Sequence, residues 1–72
     1  MTIGERIRAF REAKRWKQKD LAEETGIFAA CISLYESGRT IPSTFNLIAI
    51  ADALEVSLDD LVGRKVKKSY EN

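Results

Sequence analysis

Along the chain, apolar residues recur at helical spacing and never alternate as a half-buried strand requires. Ile3, Ile7 and Phe10 mark one side of a helix expected over 3–14, with Arg6, Arg8, Arg11 and Lys14 on the other. Thr2 followed by Glu5 forms a capping-box start for it. A short second helix is expected over 18–25 with Leu21 and Ala22 inward, stopped by Gly26, where the chain needs a positive φ. A third is expected over 28–36, preceded by Ile27, with Ile32 and Tyr35 inward and Gly38 at its end. The loop Arg39-Thr40-Ile41-Pro42 leads to Ser43, an N-cap for a fourth helix reaching about Leu54 on a stripe of Leu47, Ile50, Ala51 and Leu54. Ser57 and Asp60 start a fifth through Leu61 and Val62, ended by Gly63. The expected fold is all-α: a compact bundle of five short helices over residues 1–63, followed by a basic tail, RKVKKSYEN, over 64–72. The tail has no periodicity and is expected to be mobile.

With 72 residues the chain is one small domain, and a modest core gains from dimerisation. The absence of a long apolar run excludes a membrane span and a signal peptide, so a cytoplasmic location is expected. A single cysteine, Cys31, and no histidine exclude an internal disulfide and argue against a metal site; no cofactor is expected. Cys31 reads as a small hydrophobe, and Trp16 as packed against the first helix. Nothing pairs a nucleophile with a base, and Asp59 and Asp60 at a helix start serve its dipole, so the chain does not read as an enzyme.

Net charge is only +1, which gives no bulk attraction to a polyanion, but the distribution is uneven. Seven Lys or Arg lie between Arg6 and Lys19 against one acid, Glu12, whereas residues 40–63 carry four acids and no base. Such asymmetry suits docking on a polyanion from one side. The basic run reads equally as a solvated helix face.

The second and third helices are spaced for a steep crossing through a tight turn. Ala22 is small where the backbones approach, Gly26 takes the left-handed corner, and Leu21, Ile27, Ile32 and Tyr35 fill the wedge. These residues, in the order IGERIRAFREAK, QKDLAEETGI, ISLYESGRTIPS and LIAIADALEVSLDDL, resemble the lambda-repressor-like, or XRE-type (Cro-like), helix-turn-helix domain over about residues 2–63.

That resemblance implies double-stranded DNA as partner, with the third helix in the major groove, the second across the backbone, and a homodimer on a palindromic operator. Phe28, Ala29, Ala30, Ser33 and Leu34 fall at its base-reading positions, with Cys31 at the edge. Gln18, Lys19, Arg39, Thr40 and Ser43 fall at phosphate-binding positions, and Arg11 and Glu36 where the family forms a structural ion pair. The chain departs from the family's habit in its small, apolar base-reading residues. Alanine makes no bidentate hydrogen bond but packs on thymine methyls, which implies modest, T-rich or shape-dependent specificity, with phosphate contacts supplying most of the affinity.

Further departures are Lys17 and Phe28 in cap slots, which would leave two helix starts loose, and Arg15 in place of a frequent glycine. Phe45, Ile48 and Ala49 lie off the core stripe; with Val56, Leu58 and Val62 they form an expected homodimer seam. The function implied is a transcriptional regulator, a repressor or controller protein. The alternative is an antitoxin-like module whose main partner is another protein, with DNA secondary.

Overall fold

The computed structural model describes residues 1–64, so the expected tail beyond Arg64 lies outside the described residues. Helix α1 (Ile3–Ala13) begins where Thr2 Oγ1 accepts from the Glu5 N–H at 3.1 Å and Glu5 Oε1 accepts from the Thr2 N–H at 2.8 Å. Each end of this reciprocal pair satisfies an amide that the first helical turn cannot. The helix stops one residue before the expected 14 because Arg15 turns left-handed, at φ 60°. The N–H groups of Arg15 and Trp16 then fold back onto the carbonyls of Glu12 and Arg11, at 2.9 and 3.2 Å. This closes the helix as a Schellman turn on a residue that carries a Cβ.

The remaining helices are α2 (Gln18–Thr25), α3 (Ala29–Ser37), α4 (Thr44–Leu54) and α5 (Leu58–Val62), with no strand among the described residues. Helix α3 starts one residue later than expected, because Phe28 is an extended N-cap rather than a helical residue, whereas α4 starts behind the expected N-cap Ser43. The Ser43 and Ser57 hydroxyls cap α4 and α5 by accepting from the N–H groups of Asn46 and Asp60.

Around one centre gather Ile7, Leu21, Ile32, Tyr35, Ile50, Ala51, Leu54 and Leu61, all buried. Ile3, Phe10, Trp16, Ala22, Ile27, Cys31, Leu47 and Val56 lean on this core half-buried. Leu47 and Ala22 are therefore less enclosed than their place on the apolar stripes suggested. Helix α1 packs on α3 and α5, α2 on α3 and α4, and α4 on α5. Gly4 lets α1 approach α3 closely: a Cβ there would collide with the carbonyl oxygens of Tyr35 and Glu36 at the end of α3.

Arg11 does not join the outer face of α1. It stands one turn after Ile7, on the buried side, and its position is decided by what α3 brings to meet it.

Candidate nucleic-acid interface

The turn between α2 and α3 determines what faces outward. Gly26 at φ 77° donates its N–H to Ala22 O at 2.8 Å. Thr25 Oγ1 donates to Leu21 O at 2.8 Å and accepts from the Ile27 N–H at 3.2 Å, bridging the end of α2 to the first residue after the corner. Thr25 is a residue that the sequence pattern passed over; the signal was a hydroxyl immediately before the glycine. Ile27 tucks half-buried against the core and Phe28 swings out, 82% exposed.

From there the two sides of α3 separate. Ile32, Tyr35 and the half-buried Glu36 turn inward, Cys31 is half-buried, and Ala29, Ala30, Ser33 and Leu34 are exposed. No cation stands on the outward face, and α3's one acid is engaged elsewhere. Glu36 Oε2 accepts from Arg11 Nε at 2.7 Å and Glu36 Oε1 from Arg11 Nη2 at 3.0 Å, with side-chain exposures of 9% for Arg11 and 4% for Glu36. Hydrogen bonding to this carboxylate raises the Arg11 pKa above its already high ordinary value. Such a two-pronged pair is strong because its geometry is fixed and water is excluded.

Four of the five residues at the expected phosphate-binding positions are open to solvent. Lys19, Arg39, Thr40 and Ser43 are exposed. The Ser43 oxygen is already accepting from Asn46, which leaves its hydroxyl proton free. Gln18 is half-buried and donates from Nε2 to Glu36 Oε1 at 3.1 Å.

The start of α2 is firmer than its Lys17 cap slot suggested. Asp20 Oδ2 accepts from the Lys17 N–H at 2.7 Å, so the carboxylate half of a capping box is present although Lys17 itself makes no side-chain cap. The start of α3 does lack a side-chain cap. Phe28 offers only its carbonyl, to the N–H groups of Cys31 and Ile32.

Much of the N-terminal basic run is engaged within the domain. Arg8 pairs with Glu12, Arg11 with Glu36, and Lys14 with Glu55, while the Arg6 guanidinium lies against Gly63. Arg15, Lys17 and Lys19 are left exposed, with no ion pair among the described residues. Lys14 Nζ also sits 5.1 Å from the centre of the half-buried Trp16 ring.

Phe45 is 84% exposed, and Ile48, Leu58 and Val62 are exposed as well. Ala49 is half-buried, and Val56 is drawn against the core, which leaves it little area for a seam. Among the described residues, no group of His, Cys, Asp or Glu is arranged to hold a metal ion and no helix is long and apolar enough to cross a membrane.

A model of the helix-turn-helix family matches residues 7–61. The cryptic phage CTXphi transcriptional repressor RstR of Vibrio cholerae is 45% identical over 64 residues, covering 89% of this chain and 57% of that protein. The immunity repressor protein of Bacillus phage phi105 is 34% identical, covering 90% of this chain and 45% of its own length. The chain thus spans about half the length of these curated relatives. Among solved structures, the P22 c2 repressor in complex with a synthetic operator superposes with a TM-score of 0.84 at 35% identity. That match covers 90% of this chain and 98% of the other.

Proposed function

Because the chain belongs to the helix-turn-helix family in its lambda-repressor-like (XRE) form, we propose that it is a DNA-binding transcriptional regulator that lays α3 in the major groove of an operator. The observation that carries this reading is the outward face of α3. Ala29, Ala30, Ser33 and Leu34 are exposed in a row behind the Gly26 corner, in a helix whose other side is sealed into the core.

Phe28, Ala29 and Ala30 meet thymine methyls, and Ser33 exchanges one hydrogen bond with a base edge. Gln18, Lys19, Arg39, Thr40 and Ser43 hold phosphates on either side, and these contacts supply most of the affinity. Two protomers joined through Phe45, Ile48, Ala49, Leu58 and Val62, with Val56 at the margin, present their α3 helices to a palindrome, about 34 Å apart. The exposure of Phe45 supports this seam, since an aromatic ring in water gains by meeting its symmetry mate.

Selection of bound duplexes from a random pool tests the reading. T-rich palindromes should emerge, and their retardation should weaken in Gln18→Ala and Arg39→Ala. Failure to retain any duplex at low salt would refute it. Sedimentation at micromolar concentration tests the dimer: the unsubstituted chain should sediment as a dimer and Phe45→Glu as a monomer.

The exposed Phe28 also favours a second reading, in which the apolar end of α3 meets a partner protein and DNA is secondary. A stoichiometric protein complex from a chain that retains no DNA would support that instead.

A further inference from the structure

The Arg11–Glu36 pair does more than join α1 to α3, because its contacts converge on Gln18 from two directions. Arg11 Nη1 donates to the carbonyl of Trp16 at 2.6 Å, holding the backbone two residues before Gln18. Arg11 Nε and Nη2 hold both oxygens of Glu36, and Glu36 Oε1 in turn accepts from Gln18 Nε2 at 3.1 Å. One guanidinium thus fixes both the chain entering α2 and the carboxylate that grips the first side chain of α2.

A carboxamide has two ends of opposite character, and either can face a partner. Beside a carboxylate only the NH2 end is tolerated. Turned over, Gln18 would set its own oxygen against Glu36 Oε1. With one amide proton on Glu36, the second is held in the same plane and remains available to an incoming anion.

We infer that Arg11 and Glu36 are positioning residues for DNA binding, acting through Gln18 by keeping its carboxamide turned with a proton free for a phosphate oxygen. The inference rests on the reading of Gln18 as a phosphate contact. An ion pair that served the fold alone would need no third partner at the start of α2. The neutrality of the pair also matters: Arg11 cancels the charge of Glu36, so a phosphate can approach Gln18 without meeting a bare carboxylate.

Four proteins test this: the unsubstituted chain, Gln18→Ala, Glu36→Gln and the double variant, each titrated with one duplex at fixed salt and melted to check the fold. A hydrogen bond to a charged group is worth about tenfold in affinity, so each single variant should weaken binding by about that factor. The double variant should bind no more weakly than Gln18→Ala alone. Losses that multiply in the double variant would overturn the inference and leave the pair a structural one. No loss in Gln18→Ala would instead remove the phosphate contact itself.

Should Glu36→Gln fail to fold, the free unsubstituted protein still decides the matter. Gln18 is the chain's one glutamine, so its side-chain amide signals are unambiguous among glutamines. Two widely separated resonances, one exchanging slowly with solvent, are expected. A pair at ordinary solvent-exposed positions would sink the proposal.

Discussion

Arg15 and Glu55 both close a helix in the left-handed region, at φ 60° and 61°, and both carry a Cβ that makes this conformation costly. They differ in what offsets the cost. Glu55 Oε1 meets Lys14 Nζ at 2.7 Å, whereas Arg15 is exposed and makes no ion pair among the described residues. Arg15→Gly is therefore expected to stabilise the domain by about 1 kcal/mol in urea denaturation, and Glu55→Gly to gain less because it also removes the ion pair. Arg11 lies at the opposite extreme of burial. Arg11→Met leaves the Glu36 carboxylate enclosed without a partner and should cost about 3–5 kcal/mol. The double variant Arg11→Met with Glu36→Leu should lose far less in the same assay, since no charge is then stranded.

At the scale of the element, α3 is apolar on both sides, and periodicity alone could not tell its exposed face from its core face. The distinction came from Gly26 and Thr25, which orient the helix, and from Arg11, which claims Glu36. Ala30→Asp separates folding from binding at this face. A carboxylate in the first turn of α3 complements the helix dipole and fills part of a missing cap, so thermal stability should hold or rise by about 0.5 kcal/mol. The same charge faces phosphate, so DNA retardation should fall sharply. A variant that lost stability and kept its binding would contradict the assignment of this face. Caps were readable wherever a side chain supplied them, as at Thr2, Ser43 and Ser57. At Lys17 there is no side-chain cap, and the support came instead from Asp20, three residues on, whose carboxylate takes the Lys17 N–H, a partner legible only by looking past the cap position.

For the whole molecule, the near-neutral net charge conceals a division of labour. Arg8, Arg11 and Lys14 bind carboxylates of the domain itself, and Lys17, Lys19 and Arg39 are exposed without an ion pair among the described residues. Two carboxylates link stability to pH. The Thr2 backbone N–H lowers the Glu5 pKa, and Lys14 lowers that of Glu55. A carboxylate whose folded pKa lies below its unfolded value contributes stability above the ordinary range, and that stability is lost as pH falls through the folded value. The melting temperature should thus hold between pH 7 and 5 and decline below about pH 4.3, the ordinary glutamate value. Replacing Glu5 and Glu55 together by Gln should lower the plateau at neutral pH and make the acid decline shallower.

The order and type of the helices were determined by the sequence itself, because capping residues, apolar spacing and the glycines at 26, 38 and 63 are local signals that act within a turn or two of chain. Contacts between residues far apart in the chain were decided by the tertiary structure. The spacing of α1 put Arg11 among its solvated bases until Glu36 arrived from 25 positions away and made it a buried residue. Leu47 and Val56 exchanged their expected surroundings by smaller amounts, for the same reason: burial depends on which neighbours the other helices supply. The Arg11–Glu36 pair was implied by the family resemblance, but its extension from Glu36 to Gln18 has no signature along the chain, since three helices must pack before those groups meet.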